Sequence, residues 1–97
     1  MQFEWDENKN TVNIEKHGID FSTAIAVFDD PNRLEEDSTK PEYNEVRIKT
    51  IGKVDAFVFV LTVVYTNRDE KRRIISACRA NRAERQQYNE SLIKKAS

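Results

Sequence analysis

The sequence predicts one α+β domain over residues 1–97, in which an antiparallel sheet packs against helices in the order β-α-α-β-β-β-α. Three observations support this fold class. The first third of the chain has apolar residues at helical spacing. The middle contains alternating and uniformly apolar runs, rich in β-branched residues, which are typical of strands. Short polar turns separate these runs, so consecutive strands should pair as an antiparallel meander with the helices on one face.

The N-terminal elements are a short strand and a helix. Residues 3–5 form the strand candidate, and Asp6 is a suitable N-cap for a helix over residues 7–17. Gly18 is expected to end this helix, because glycine readily adopts the left-handed conformation that closes a helix.

A second helix is predicted from about Ser22. Its apolar residues recur at i, i+4 and i+7, at Phe21, Ile25 and Phe28. Pro31 marks its end, because the residue before a proline avoids the helical region.

The rest of the chain up to residue 78 is predicted to be a loop and three strands. The predicted boundaries are a mobile loop over 32–44, a strand over 45–51, a turn over 52–55, a central strand over 57–65, a turn over 67–70 and a strand over 71–78. Charged and apolar side chains alternate in the first strand, which indicates that one face is buried, whereas the central strand is apolar on both faces.

The last element is predicted to be a helix that starts after Asn81. Glu84 follows three positions later, which is the spacing of a capping box. Lys94 and Lys95 suit the C-terminal end, because cations there oppose the helix dipole.

Composition narrows the class of protein. Cys78 is the single cysteine, so no intramolecular disulfide can form. The N-terminus lacks the basic and then apolar segments of a signal peptide. The longest apolar stretch, residues 56–65, has ten residues, whereas a membrane-spanning helix needs about 20. The sequence therefore predicts a cytoplasmic protein with no membrane partner.

The formal net charge of −1 hides a division between the two halves of the chain. Residues 1–45 contain twelve acids and four bases, and residues 46–97 contain twelve bases and five acids. Such asymmetry suggests a polyanionic partner for the basic half. Attraction between the two halves across the fold explains the same numbers equally well.

Arginines crowd the predicted start of the last helix. Arg79 and Arg82 bracket it, and Arg72, Arg73 and Arg85 enlarge the cluster. Cations at a helix N-terminus are disfavoured by a few tenths of a kcal/mol each. A bound phosphate would satisfy both the arginines and the free backbone N–H groups. Pairing with acids of the chain is the structural alternative.

The first meander strand supplies another candidate surface. Arg47 and Lys49 share one of its faces and could extend the basic surface across the sheet. Glu45 lies on the same face and could act as a base. An ordinary solvated strand face would have the same pattern.

Three further side chains could take part in chemistry. His17 is the single histidine and the one obvious acid–base group near neutral pH. Lys16 precedes it and could act through its charge. Both also fit an ordinary helix C-terminus. Tyr65 could stack on a nucleobase or pack in the core.

Other kinds of site find little support in the sequence. One histidine and one cysteine do not make a zinc site, and two glycines do not make a phosphate-binding glycine loop. Asp29 and Asp30 could bind Mg²⁺, but the end of a helix explains them better. We therefore expect neither a metal nor a cofactor.

Short motifs spread over residues 3–90 resemble one protein family when they are taken together and in order. The matching segments are Phe3-Glu4-Trp5-Asp6, Lys16-His17-Gly18-Ile19 with Phe21, Val27-Phe28-Asp29-Asp30-Pro31, Glu45-x-Arg47 with Ile51-Gly52, Val63-Val64-Tyr65-Thr66, and 73–85 with Tyr88. This arrangement resembles the BrnT family of toxins from bacterial type II toxin–antitoxin pairs. Family members often have arginine where this chain has Cys78, which leaves fewer cations here, and threonine where it has Asn81, which keeps a capping residue.

The resemblance implies a RelE-like fold and a toxin that cleaves RNA and halts translation. It also implies a cognate antitoxin, usually a small ribbon-helix-helix protein, that neutralises the toxin within a hetero-oligomer. Operator DNA would be contacted only through that antitoxin.

A ribonuclease without metal would use the 2′-OH of the RNA to attack the adjacent phosphate. The enzyme must then orient the strand, stabilise the phosphorane and move protons. Arg79 and Arg82 are the predicted phosphate holders, with Arg47 or Arg73 in support. The candidates for the general base are His17, Glu45 and Lys16. The candidates for further RNA contacts are Arg72, Arg85, Lys49 and Tyr65.

Two readings from other functional classes use the same basic surface. The first is a non-catalytic RNA- or DNA-binding module. The second is a subunit that docks an acidic partner, such as a subunit of a transcriptional repressor complex. Cleavage of RNA in the presence of EDTA would separate the nuclease from both.

Overall fold

The computed structural model describes residues 1–54 and 59–96. The elements in chain order are β1 (Gln2–Glu4), α1 (Glu7–His17), α2 (Phe21–Ala24), a 3-10 helix (Ile25–Asp29), β2 (Leu34–Asp37), β3 (Ile48–Val54), β4 (Phe59–Arg68), β5 (Lys71–Arg79) and α3 (Arg82–Ala96). The α+β class predicted from the sequence is confirmed.

The five strands form one sheet in the spatial order β1-β5-β4-β3-β2. Strands β2 to β5 pair antiparallel, as the meander prediction required. Strand β1 instead pairs parallel with β5, with Phe3 opposite Arg72. The prediction of a purely antiparallel sheet is therefore wrong at this edge, because β1 pairs with the last strand of the chain and is joined to it by no hairpin.

Strand β2 lies within residues 32–44, which were predicted to be a loop. Leu34 pairs with Ile51 of β3, and Glu36 forms a 2.8 Å ion pair with Lys49. The strand has a single apolar side chain in four residues, so it lacks the alternation that reveals a half-buried strand. Charged side chains are common on edge strands, because they discourage pairing with other chains.

The helix boundaries follow local capping contacts. The carboxylate of Asp6 accepts hydrogen bonds from the first backbone N–H groups of α1, and Gly18 closes the helix at φ 69°. The predicted first helix is confirmed. The predicted second helix is split, because α2 begins at Phe21 and tightens after one turn into the 3-10 helix.

Strand β3 continues through Gly52, which was assigned to a turn. A Cβ at Gly52 would lie 3.2 Å from the carbonyl oxygen of Val27, a tight contact, so glycine favours the close approach of the 3-10 helix. Strand β4 likewise extends to Arg68, and the hairpin that follows has positive φ at Asp69 and Glu70. Residues 55–58, which belong to the predicted turn and central strand, lie outside the described residues.

The helices pack on both faces of the sheet, not on one as predicted. On one face, α2 and the 3-10 helix cover the main core. Its buried members are Phe21, Ala24, Val27, Val54, Leu61, Val63, Tyr65, Ile74 and Ala77. On the other face, α3 packs through Tyr88 against Ile51 and Ala80. Strand alternation explains the difference, since Ile51 points away from the face that Gly52 shares with Val27.

Helix α1 lies along β5, where the short strand β1 has ended. The side-chain amide of Asn13 donates to the carbonyl of Ala77 (2.8 Å) and accepts from the Ala77 N–H (3.2 Å). It also donates to the carbonyl of Ile19 (2.9 Å). One buried asparagine thus supplies β5 with the hydrogen bonds that a neighbouring strand would supply.

Candidate functional site

A cavity of about 360 Å³ lies where α1 and β5 end, and we name it the His17–Arg79 cavity. It is lined by His17, Gly18, Ile19, Asp20, Thr23, Phe59, Leu61 and Arg79. His17 is in the last turn of α1, and Arg79 is the last residue of β5. The hydrogen bonds of Asn13 fix the helix to the strand and so hold these two ends together.

The guanidinium of Arg79 stacks on an aromatic ring. Its Cζ atom lies 3.9 Å from the centroid of the Phe59 ring. Stacking fixes the plane of the guanidinium and leaves its N–H edge to meet an anion. Within residues 1–54 and 59–96, no carboxylate forms an ion pair with Arg79.

Asp20 contributes the negative charge of this cavity. Its Oδ1 atom accepts hydrogen bonds from the Ser22 N–H (3.0 Å) and the Asn10 side chain (3.1 Å). The hydrogen bond from the Ser22 backbone, followed by that from Asn10, lowers the pKa of Asp20 below its ordinary value. Asp20 is therefore ionised at neutral pH and acts as the N-cap of α2.

A second cavity, of about 330 Å³, runs along the α1–β5 seam. It is lined by Asn8, Lys9, Val12, Asn13, Lys16, His17, Ile75 and Ser76. His17 lines both this cavity and the previous one, so the two adjoin each other at His17. Lys9 and Lys16 recur at i and i+7, which places both cations on one side of α1.

A third cavity, of about 410 Å³, adjoins the seam, and we name it the Arg47–Arg73 cavity. It is lined by Asp6, Lys9, Glu42, Tyr43, Asn44, Glu45, Arg47, Arg68, Arg73 and Ile75. Lys9 and Ile75 also line the seam. Three guanidinium groups and one ammonium group surround this cavity.

Both named arginines of the third cavity already have carboxylate partners. Arg47 pairs with Glu45 at 3.1 Å, and Arg73 pairs with Glu4 at 3.0 Å. These side chains are 22–39% exposed, so each pair contributes little stability and can exchange its carboxylate for a phosphate. The Cζ atom of Arg47 also lies 3.6 Å from the centroid of the Tyr43 ring.

Lys49 is half-buried and pairs with two acids. Its ammonium lies 2.8 Å from Glu36 and 3.2 Å from Glu84. The hydrogen bond to Glu36 is the largest influence that raises the pKa of Lys49, and burial opposes it. Lys49 is therefore a cation that already has its counter-ions, and it lines none of the three cavities.

The anion at the start of α3 is Glu84. Its carboxylate accepts the Asn81 N–H (2.9 Å), and the Asn81 side chain accepts the Glu84 N–H (2.8 Å), so the predicted capping box is confirmed. The sequence argument assigned this place to a bound phosphate, but the chain supplies the charge itself. Arg82 is exposed there, and Arg85 donates to the Ala80 carbonyl at 2.8 Å.

The structure separates Arg79 from Arg82 across the sheet. Arg79 pairs with Leu61 of the main core, which places it on the α2 face. Arg82 begins α3, which covers the opposite face. Of the predicted catalytic residues, the structure joins His17 to Arg79, and it joins Glu45 to Arg47 and Arg73. Lys16 lies in the seam between the two groups, and Arg82 belongs to neither.

Two predicted RNA contacts lie against the core. Tyr65 is 2% exposed and meets the ring of Phe28 edge-on, with centroids 5.2 Å apart. Arg72 stacks on Phe28 with its Cζ atom 4.4 Å from the centroid. Tyr65 is therefore part of the core, and Arg72 packs against the core through Phe28.

Sequence reasoning did not select several residues that line the cavities, among them Lys9, Arg68 and Tyr43. Lys9 could have been found from its spacing to Lys16 on one face of the helix. Arg68 could have been found as a partner of β5 across the hairpin, since it pairs with Lys71. Tyr43 lies in a segment without periodicity, and no signal in the sequence marks it.

Two kinds of feature are absent from residues 1–54 and 59–96. No helix there is long and apolar enough to cross a membrane. No group of three histidine, cysteine, aspartate or glutamate side chains comes together as a metal-binding set.

Comparison with known families gives one match. The family model described as "Ribonuclease toxin, BrnT, of type II toxin-antitoxin system" matches residues 5–84. The matched region includes every residue that lines the three cavities. A search of curated proteins found no match.

Proposed function

The chain belongs to the BrnT family of ribonuclease toxins from type II toxin–antitoxin systems, and on this premise we propose that the His17–Arg79 cavity is its RNA-cleaving site. One observation carries the proposal. The single histidine and an arginine without a carboxylate partner among the described residues line the same cavity, although they lie near opposite ends of the sequence. An acid–base group beside a phosphate-binding group is the minimum that RNA cleavage needs.

The proposed reaction uses the nucleophile of the substrate itself. His17 accepts the proton of the 2′-OH while that oxygen attacks the adjacent phosphorus. The bond from phosphorus to the 5′-oxygen of the next nucleotide then breaks, that oxygen takes a proton from water as it leaves, and the imidazolium of His17 returns its proton to the hydroxide so formed. The products are a 2′,3′-cyclic phosphate and a 5′-OH, and neither step needs a metal ion.

Arg79 would stabilise the charge that develops on the phosphorane. Its planar guanidinium can bind two non-bridging oxygens at once, and Phe59 holds its plane. His17 is the base that we favour. Lys16 faces the seam, and Glu45 lies in the Arg47–Arg73 cavity beside Arg47.

Cleavage of labelled single-stranded RNA by the purified chain in EDTA tests this assignment. We expect Arg79→Ala and His17→Ala each to slow cleavage by about 100-fold or more, the usual loss when an oxyanion-stabilising or acid–base group is removed. Lys53→Ala, on β3, is the matched charge control and should cleave at the native rate.

Three outcomes would contradict the proposal. Native-rate cleavage by Arg79→Ala would remove the site assignment. A loss with Arg82→Ala as large as that with Arg79→Ala would restore the helix-start site inferred from the sequence. RNA that is bound in a salt-sensitive way and stays intact would favour a non-catalytic nucleic-acid-binding module.

We further propose the biology that the family resemblance implies. Membership of a type II system implies a cognate antitoxin. We propose that this antitoxin is a ribbon-helix-helix protein, that it alone contacts operator DNA within a hetero-oligomer, and that the free toxin has a RelE-like fold and inhibits translation in the cytoplasm. Growth arrest on expression, with rescue by the neighbouring reading frame, is the test. Arrest that persists in Arg79→Ala would separate toxicity from the proposed site.

A further inference from the structure

We propose that the α1–β5 seam is the path of a single-stranded RNA, leading from the His17–Arg79 cavity to a base-stacking platform made by Tyr43 and Arg47. This inference rests on the proposed function, because it extends the RNA away from the proposed cleavage point. The inference defines an RNA-binding surface and specifies that the substrate is single-stranded. It also includes three residues that no motif of the sequence singled out: Lys9, Tyr43 and Arg68.

The three cavities of the proposed path lie next to one another. His17 lines both the cleavage cavity and the seam, and Lys9 and Ile75 line both the seam and the Arg47–Arg73 cavity. The three cavities are therefore neighbours along α1, each sharing at least one lining residue with the next. A strand whose scissile phosphate lies at Arg79 has one cavity after another beside it.

The lining of the proposed path contains more cations than carboxylates. The seam and the Arg47–Arg73 cavity together are lined by five cations and three carboxylates. The cations are Lys9, Lys16, Arg47, Arg68 and Arg73. Among the acids, the carboxylate of Asp6 is occupied by the backbone N–H groups of Asn8 and Lys9 at the start of α1. Repeated cations along a furrow match the regular phosphates of a polynucleotide.

The stacked pair of Tyr43 and Arg47 lies at the end of the path that is farther from Arg79. The guanidinium of Arg47 lies 3.6 Å from the centroid of the Tyr43 ring, and its other face is directed away from that ring. An unpaired nucleobase can stack on an arginine plane or on a tyrosine ring. Bases in a duplex are already stacked on each other, so this platform favours a single strand.

The same surface could instead receive an acidic protein segment, but the aromatic stack favours RNA. A run of carboxylates would interact with the cations alone, and the stacked Tyr43 ring and Arg47 guanidinium would contribute nothing further to its binding. An acidic partner is therefore an outcome of the test below.

The experiment measures binding separately from cleavage. The probe is a fluorescein-labelled 2′-O-methyl RNA, about 12 nucleotides long and of mixed sequence, which spans a typical single-strand site. It lacks the 2′-OH nucleophile, so binding can be followed by anisotropy at several salt concentrations with the full chain. The all-2′-OH form of the same RNA reports cleavage in parallel.

Two kinds of variant should behave differently. Lys9→Ala with Arg68→Ala should lower the slope of log K against log salt by about 1.4, or about 0.7 for each lost phosphate contact. Tyr43→Ala should weaken binding about ten-fold and leave the slope unchanged, because stacking is not an ion-exchange effect. Tyr43→Phe should restore the affinity. Lys95→Ala, on α3, is the charge control and should match the native chain.

The outcomes separate the two proposals. Native binding by both the double variant and Tyr43→Ala, with normal cleavage, would overturn the path alone. Variant-sensitive binding without cleavage of the 2′-OH form would support the path and contradict the proposed function. If a duplex RNA binds as tightly as the single strand, the inference that the path receives single-stranded RNA is wrong. Variants that weaken capture of the antitoxin but bind RNA normally would assign the seam to a protein partner.

Discussion

Helices α1 and α3 are attached to the same sheet in two different ways. The buried residues of α1 are Asn10 and Asn13, and the buried residue of α3 is Tyr88. Neither helix therefore depends mainly on an apolar stripe. Helix α1 is held through the amide of Asn13, which binds backbone groups, and through the amide of Asn10, which binds the Phe21 N–H and the Asp20 carboxylate. Helix α3 is held through carboxylates. The helix carrying the proposed site is thus fixed mainly by side-chain amides, whereas the other helix is fixed by carboxylates whose charge depends on pH.

The contacts of α3 run through two acids. The hydroxyl of Tyr88 donates to Asp30 at 2.5 Å, and Asp30 also accepts the Lys53 N–H at 2.8 Å. In the first turn of the helix, Glu84 accepts from Thr62 (3.0 Å) and Lys49 (3.2 Å). None of the three cavities that make up the proposed RNA path is lined by a residue of α3.

The largest effect is expected from Asn13→Ala. The substitution leaves the N–H and carbonyl of Ala77 and the carbonyl of Ile19 without their side-chain partner. Unpaired buried groups cost about 1–3 kcal/mol each, and partial hydration relieves some of this, so we expect a loss of about 2–4 kcal/mol. Urea denaturation measures it. RNA cleavage should fall as well, because α1 positions His17.

Asn8→Ala is the matched control for that experiment. Asn8 lies on the same helix, is exposed, and takes part in the capping contact only through its backbone N–H. We expect a change within about 0.5 kcal/mol. Equal losses for the two variants would contradict the special role of Asn13 and weaken the comparison between the helices.

The contrast between the helices also shows what the sequence could and could not predict. Asp6, Gly18 and the Asn81–Glu84 pair act on groups within a few residues, so local rules located them. The contact between Asn13 and Ala77 spans 64 positions. An asparagine within a helix indicates only a polar position, and nothing nearby in the sequence marks its partner.

The sequence allowed us to predict residues that belong to the candidate site, but not which of them lie together in one cavity. His17 and Arg79 were both selected from the sequence, but Arg79 was grouped with Arg82 because they are neighbours in the chain. Strand alternation and the direction of α3 then place them on different faces. The face on which Arg79 lies depends on the register between β4 and β5, which is a tertiary contact that local sequence patterns do not determine.

The next largest effect is expected from Tyr88→Phe. It removes the hydrogen bond to ionised Asp30 and leaves the ring in the small core with Ile51 and Ala80. Hydrogen bonds to charged groups contribute about 1.5–3 kcal/mol. Hydrogen exchange should show lower protection in α3 than in α1. Tyr43→Phe is the control, and equal loss of protection in both helices would show that they unfold as one unit.

The smallest effect is a difference in acid sensitivity between the helices. Burial alone would raise the pKa of Glu84, but hydrogen bonds from the Asn81 N–H, Lys49 and Thr62 outweigh it, and the pKa lies below its ordinary value. Burial likewise opposes a lowered pKa at Asp30, where the Lys53 N–H and the Tyr88 hydroxyl prevail. Carboxyl groups of this kind stabilise the fold fully above the unfolded pKa of about 4 and lose that contribution as pH falls through the folded value.

Acid should therefore loosen α3 before the Asn13 contacts of α1, which contain no titrating group. Asp20, which binds Asn10 and also has a lowered pKa, gives the α1 side an acid sensitivity of its own, separate from the Asn13 contacts. Glu84→Gln should cost about 1 kcal/mol at neutral pH, because the amide keeps part of the hydrogen bonding, and should flatten the fall in stability below about pH 4. Denaturation midpoints from pH 7 to pH 3 measure this. A pH dependence as steep in Glu84→Gln as in the native chain would show that Glu84 does not cause the acid sensitivity of α3.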